Sequence, residues 1–262
     1  MSRDFKRSVS AILGWPNFLR GLQWPVIQRL IDLDSSKLIV DLGAGPMLYS
    51  RRLAKGEEAR VVAADLDFRV DYVTKAKRDL VRLLRADGLA LPFADHSIDC
   101  LMMSSLLQLV PDPAQLLSEC HRVLRPHGAL VLTVPNHYRF IPMWMKSSAG
   151  PALRRSFGLP PELNGLIKVL NRKFDVYGPA GYYSREELLA LLEAARFTAV
   201  NHEYAPGWLG SLLWEMAVIG SVRFGKVPFC LLLLVYPLAR LYDATVGAEE
   251  GCEHILKATP QS

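Results

Sequence analysis

Short continuous apolar runs alternate with segments whose apolar positions recur at helical spacing along this chain of 262 residues. Leu38-Ile39-Val40 leads into Asp41-Leu42-Gly43-Ala44-Gly45, and Val61-Val62-Ala63-Ala64 ends in Asp65. Leu80–Leu84, Ile98–Met103 and Ala129–Val134 are further runs of the kind that predicts buried strands. Helical stretches are expected between them, around Tyr49–Ala54 and over Phe68–Arg78. A third opens at Asp112-Pro113, an N-cap with proline at the first helical position. Leu116, Leu117, Cys120, Val123 and Leu124 give that helix its apolar face, and Arg125-Pro126-His127-Gly128 stops it. This alternation predicts βαβ units and a parallel sheet. Such sheets bind ligands outside the carboxyl ends of their strands, where this sequence puts its acids and glycines.

Three regions depart from the rhythm. Residues 1–36 read as a helical N-terminal extension with Trp15, Phe18, Leu22, Trp24, Ile27, Leu30 and Ile31 as its apolar face. After Val134 an irregular insertion, about 136–181, carries a surplus of five positive charges. Ser184-Arg185-Glu186-Glu187 then forms a capping box that opens a Leu-rich helix ending near Arg196, with Phe197–Tyr204 strand-like after it. The second insertion, about 207–250, is the most apolar part of the chain, and His254–Ala258 reads as a last strand. Residues 208–242 are expected to form two helical segments broken around Gly225–Pro228. Their longest uncharged run, Val227–Ala239, has 13 residues, short of the ~20 that span a bilayer. Flanking Trp208, Trp214, Tyr236 and Tyr242, with Arg223, Lys226 and Arg240, suit a membrane interface. A lid over an apolar pocket and a buried core or dimer surface stay open beside that reading.

Composition narrows the classes. Half the residues are hydrophobic and 22% are charged, which supports a sizeable core. A net charge of +5 without clustered stacking aromatics falls short of a nucleic-acid signature, so no nucleic-acid partner is expected. Cys100, Cys120, Cys230 and Cys252 lie far apart with no C-x-x-C. Neither a metal site nor a disulfide framework is expected, and reduced thiols fit a cytoplasmic setting. The charged start, with Arg3, Asp4, Lys6 and Arg7, does not read as a secretory signal.

The candidate chemistry lies at the strand ends. Asp41-x-Gly43-x-Gly45 sits where a strand gives way to a helix, and glycines there let the backbone turn tightly and approach a ligand. Asp65 lies 24 residues after Asp41, where a carboxylate can accept both hydroxyls of a ribose. Asp87-Gly88 ends the third strand. A dinucleotide fingerprint would need a third glycine at position 48, which is Leu48, and Pro46 distorts the match further.

Asp41–Gly45, Asp65, the run Ala86–Asp99 and the run Glu119–Leu130 together resemble the class I S-adenosylmethionine-dependent methyltransferases. The nearest group is the small-molecule and lipid methyltransferases of the type 11-like kind, which include quinone C-methyltransferases. The resemblance is close over Leu38–Val134 and looser over Tyr182–Tyr204. It implies an α/β, Rossmann-like doubly wound, mostly parallel seven-stranded sheet over 37–262, with the two insertions on the substrate side. It also implies that Gly43, Ala44 and Gly45 cradle S-adenosyl-L-methionine, with Asp41 orienting the loop. Asp65 would hold the ribose hydroxyls and Leu66 would lie beside the adenine. Asp87 would meet the adenine amino group with Gly88 next to it, and Ser104 would face the methionine portion. Met47 stands where many members have a third glycine, and Ser104-Ser105-Leu106-Leu107 replaces a histidine-containing stretch of close relatives. The Asn-Pro-Pro-Tyr type motif of many amino-methylating relatives is absent at Ser104–Gln108.

The expected function is methyl transfer at oxygen or carbon of a small, apolar or lipid-linked acceptor. Peripheral membrane contact through 208–242 and oligomerisation are left open. The catalytic residues are unknown, with His137 and Tyr183 as the positions to test. A different class of reading is a non-catalytic methyltransferase-like module that binds cofactor or a partner.

Overall fold

The computed structural model describes residues 18–31, 38–55, 60–68, 81–136, 182–205 and 253–261, with isolated positions between them. Helix α1 (Phe18–Leu30) buries Leu22, Ile27 and Leu30, followed by buried Ile31, as its apolar spacing requires. The alternating part then runs β1 (Leu38–Leu42), α2 (Ser50–Leu53), β2 (Arg60–Asp65), β3 (Arg82–Arg85) and β4 (Ile98–Ser104). A 3-10 turn (Leu107–Leu109), α3 (Pro113–Val123), β5 (Leu124–Pro135), α4 (Arg185–Ala194), β6 (Phe197–Tyr204) and β7 (Glu253–Pro260) complete it. Of the expected helix over Phe68–Arg78, Phe68, Val73, Thr74 and Ala76 are described; the last three are helical and Phe68 is not.

Seven strands form one sheet in the order β3-β2-β1-β4-β5-β7-β6. β1 pairs in parallel with both β2 and β4, β2 with β3, and β4 with β5. The chain therefore moves outward from β1 through β2 to β3, then returns to lay β4 on the other side of β1. That reversal opens a crevice between the carboxyl ends of β1 and β4, the place where open α/β sheets take ligands. β6 and β7 are antiparallel: Gln261 N–H donates to the Arg196 carbonyl at one end, and Ala205 N–H to the Glu253 carbonyl at the other. The sheet is thus mostly parallel, as expected.

The apolar runs of β1, β4 and β5 became mostly buried strands, whereas Leu83 and Leu84 of β3 are only partly buried. Val40, Leu42, Leu101, Met103, Leu130 and Leu132 join one core with Leu116, Leu117, Cys120 and Val123 of α3. Asp112 caps α3 by accepting from Gln115 N–H at 2.9 Å, and Ser184 and Glu187 make the reciprocal bonds of the capping box on α4. One difference concerns β5, which the sequence places at Ala129–Val134. Leu124 already pairs with Ile98, and residues 125–128 bulge out before pairing resumes at Ala129 with Cys100. The stop signal ended the helix, while the bulge let the strand begin inside it.

Arg122 ties α3 to the segment before β4. It donates to both oxygens of Glu119, to Asp95, and to the carbonyls of Leu91 and Phe93, all between 2.6 and 3.0 Å. The Arg122 guanidinium holds the Glu119 carboxyl below its usual range. Arg122→Met is expected to cost about 1.5–3 kcal/mol, because it strips charge-assisted bonds and orphans two carbonyls at once. Urea unfolding measures this, and an unchanged midpoint would contradict it.

The chain divides into two compact units, one of Met1–Pro25, Asn136–Tyr177 and Glu203–Glu253, the other of Val26–Pro135, Gly178–His202 and His254–Ser262. The second unit holds the sheet's central strands. In the first, Asn136 donates its side-chain amide to the Gly251 carbonyl at 2.9 Å, and Gly207 pairs with Gly251. Apart from Gly207, the described residues of the apolar insertion, 209–211, 213, 235, 237–239, 241–242 and 245, are helical. The break expected around Gly225–Pro228 lies outside the described residues.

Candidate functional site

β1 delivers the chain into a turn that folds back over the end of β2. The N–H groups of Gly43 and Ala44 both donate to the Ala64 carbonyl, at 2.8 and 3.2 Å. Gly43 and Gly45 take positive φ angles of 70° and 46°, a region that costs a side-chain-bearing residue about 1–2 kcal/mol. Their surroundings differ. A Cβ on Gly43 would lie 2.8 Å from Leu106 Cδ1, whereas one on Gly45 would meet nothing within 4 Å among the described residues. Gly43 thus allows close packing between the turn and the segment after β4, and Gly45 keeps its side of the turn open. Met47 also has a positive φ, 55°, yet is fully buried, so the packing of its side chain offsets the strain a glycine would avoid.

The acids fall into two roles. Asp41 is 2% exposed, and its Oδ2 accepts from the Ser50 backbone N–H at 3.2 Å and from the Ser50 hydroxyl. It therefore ties the start of α2 to β1 and shapes the turn from beneath. Asp65, at the end of β2, accepts from Gly45 N–H at 2.7 Å through Oδ2, and Asp67 N–H approaches Oδ1 at 3.4 Å. The following Leu66 is 62% exposed, and its carbonyl accepts from Arg85 Nε at 2.8 Å. Parallel pairing sets Asp65 opposite Arg85, which brings Asp87 to the same end of the sheet. The Asp87 carboxylate is exposed and accepts from Leu89 N–H at 2.9 Å. Gly88 packs toward α3, since a Cβ there would lie 2.8 Å from Leu116 Cδ1.

Across the crevice, Ser104 Oγ lies 3.1 Å from Thr133 Oγ1 on β5. Ser105 has φ of 51°, and its N–H donates to both the Thr133 carbonyl and hydroxyl. The Ser105 carbonyl accepts from the Gln108 side-chain amide at 2.9 Å. Sequence reasoning singled out Ser104 alone here. Leu106, Gln108 and Thr133 matter only through contacts that local patterning does not encode. An open turn, a carboxylate bonded to it and an exposed apolar side chain next in sequence thus lie together at the carboxyl ends of β1 and β2.

His137 lies outside the described residues. Tyr183 is 8% exposed, bonded through its N–H to the Pro135 carbonyl, and its hydroxyl has no partner among the described residues. Burial pushes its phenol upward, so the group is protonated and a hydrogen-bond donor at neutral pH. The Tyr183 carbonyl accepts from Nε2 of fully buried His254, whose Nδ1 lies 2.9 Å from His202 Nε2. Burial, then the His254 ring, lowers His202 from 6.5 to about 4. The unfolded chain takes up a proton there near pH 6.5 and the folded chain does not until about pH 4. Stability is therefore expected to fall as pH drops across that window, and His202→Ala to flatten the fall. Thermal unfolding at closely spaced pH values is the check, and identical profiles for the two proteins would refute it.

Residues 40–132 match the methyltransferase domain family. The chain is 33% identical over 183 residues to a demethylmenaquinone methyltransferase of Clavibacter sepedonicus, an alignment covering 66% of this chain and 71% of that one. It is 35% identical over 97 residues to an uncharacterised methyltransferase of Mycobacterium sp. (strain JLS), covering 37% and 38% of the two chains. The alignments span between 34% and 46% of the length of six curated relatives. An S-adenosylmethionine-dependent methyltransferase of Thermotoga maritima shares the fold, with a TM-score of 0.56 at 16% identity over 100% of both chains. The strand order with its crevice at the end of β1, the glycine turn held by the acid of β2, and a relative matched over most of its length lead to one family: this chain belongs to the class I S-adenosylmethionine-dependent methyltransferases.

Proposed function

We propose that this chain transfers a methyl group from S-adenosylmethionine to oxygen or carbon of a small, apolar or lipid-linked acceptor. The observation that carries the reading is the hydrogen bond from Gly45 N–H to Asp65, which joins the open turn after β1 to the acid after β2 in one nucleoside-shaped cradle. When bound, S-adenosylmethionine supplies an electrophilic methyl group on a positively charged sulfur, so the protein need only align it with a nucleophile. Gly43, Ala44 and Gly45 would give the backbone room to approach the cofactor, Asp65 would hold its ribose hydroxyls, and Leu66 would lie beside its adenine. Asp87 and Gly88 bound the adenine side, Ser104 faces the methionine portion, and Asp41 stiffens the turn through Ser50. In this reading 37–262 is the methyltransferase domain, and 1–36 extends it.

The acceptor class rests on the named activity of the Clavibacter relative and on the apolar insertion, whose Leu238, Leu241 and Tyr242 are exposed. Exposed apolar side chains in this number suit an apolar ligand or a lipid surface. Incubating the protein with methyl-labelled S-adenosylmethionine and a lipid extract is expected to label an organic-soluble product. A protein that binds S-adenosylhomocysteine yet labels nothing would instead be a non-catalytic cofactor-binding module. For the membrane contact, reversing the charges of Arg223 and Lys226 together is expected to reduce flotation with anionic liposomes. A wild-type chain that never floats would remove the lipid surface from the proposal.

A further inference from the structure

We propose that Gln108 binds the acceptor, its side-chain carbonyl receiving a hydrogen bond from a hydroxyl group on an otherwise apolar molecule. This rests on the methyl-transfer reading and specifies the acceptor's chemistry. Gln108 is fully buried, and its Oε1 has no hydrogen-bond partner among the described residues. The amide's orientation is set: its neighbour is the Ser105 carbonyl, which can only accept, so Nε2 faces Ser105 and Oε1 is left as the acceptor. An unpaired buried acceptor is costly, and native proteins keep few of them.

Its position gives that cost a purpose. Gln108 sits in the 3-10 turn directly after β4, at the carboxyl end of the sheet. Two residues before it, Leu106 fills the space a Cβ on Gly43 would need, so this turn packs against the cofactor cradle itself. One residue earlier, Ser105 has a left-handed conformation and bonds to Thr133 through its N–H and to Gln108 through its carbonyl. Its neighbours along the chain, Leu106, Leu107, Leu109 and Val110, carry no donor in their side chains. A ligand that completes this site must bring its own donor on an apolar body. A carbonyl acceptor in an apolar setting discriminates strongly against an analogue that lacks the donor, because Oε1 is then left unpaired.

The test uses two probes that differ in the donor alone, 1,4-dihydroxynaphthalene and 1,4-dimethoxynaphthalene, titrated into full-length protein saturated with S-adenosylhomocysteine. Wild type is expected to bind the dihydroxy probe about tenfold or more tighter. Gln108→Met is expected to erase that preference while leaving S-adenosylhomocysteine affinity within about twofold. Should Gln108→Met fail to bind S-adenosylhomocysteine, Gln108→Asn, whose amide is one methylene shorter, is read in its place by the same ratio. An unchanged ratio in the variant overturns the assignment and leaves Oε1 serving a buried water only. A wild type that binds neither probe, or both equally, overturns it too. Labelled transfer to the lipid extract is scored separately, so the methyl-transfer reading can stand when Gln108 does not, and fall when the probe ratio holds.

Discussion

Valine at Gly45 is expected to abolish detectable S-adenosylhomocysteine binding, and valine at Gly43 to do so while also weakening the fold. The two substitutions share one cost, since both positions have positive φ and a β-branched residue is disfavoured there by about 1–2 kcal/mol or more. They part on sterics. At Gly45 the new side chain enters space open among the described residues, so the fold survives and the ligand's place is taken. At Gly43 the new Cβ meets Leu106 Cδ1 at 2.8 Å, so Leu106 must move and drag the turn that carries Ser105 and Gln108. Adding Leu106→Ala to Gly43→Val should recover part of the lost stability without restoring binding. Thermal shift with and without S-adenosylhomocysteine reads both quantities. A ligand-induced shift equal to wild type in both single variants would mean that the turn is structural only.

Removing the acid of β2 is the second large effect. Asp65→Ala is expected to weaken S-adenosylhomocysteine binding by about 1.5–3 kcal/mol, the value of charge-assisted hydrogen bonds to a ligand. The structure adds a second loss, because the same carboxylate holds Gly45 N–H at 2.7 Å. Asp65→Asn separates the two. Its side-chain oxygen can still accept from Gly45, so the turn keeps its shape, while the charge that strengthens the ribose contact is gone. Calorimetry should therefore rank wild type above Asp65→Asn and Asp65→Ala last. Equal affinities across the three proteins would take the ribose role away from Asp65.

Much of the fold was legible because its signals are local. The apolar runs ending at Leu42 and Asp65, the Asp112-Pro113 start, and the Ser184–Glu187 capping box are each written within a few adjacent residues. A parallel strand buried on both faces must be continuously apolar, and a capped helix must begin with an acceptor side chain. Boundaries shifted where pairing partners decided them. β3 lies at Arg82–Arg85 instead of Leu80–Leu84, and β7 extends over Glu253–Pro260, beyond the expected His254–Ala258. β5 gained Leu124 across a bulge for the same reason.

The sequence by itself determined the alternation of elements, the placement of acids and glycines at strand ends, and through its motifs the family. These depend on residue identity within a turn or two of chain. Tertiary structure alone decided what each of those residues does. Asp41 and Asp65 are both strand-end acids in the sequence, yet one is buried against Ser50 and the other is partly open and bonded to Gly45. Gly43 and Gly45 look equivalent in the motif, yet Leu106, more than sixty positions away, fills the space beside only one of them. Gln108 enters the sequence reading only as the end of a stretch without the Asn-Pro-Pro-Tyr type motif, and its carbonyl, unpaired among the described residues, sits beside the Ser105 that β5 holds in place. Hydrogen-bond satisfaction and packing are properties of pairs, and the partners here are brought together by the sheet's crossover and not by their neighbours in the chain.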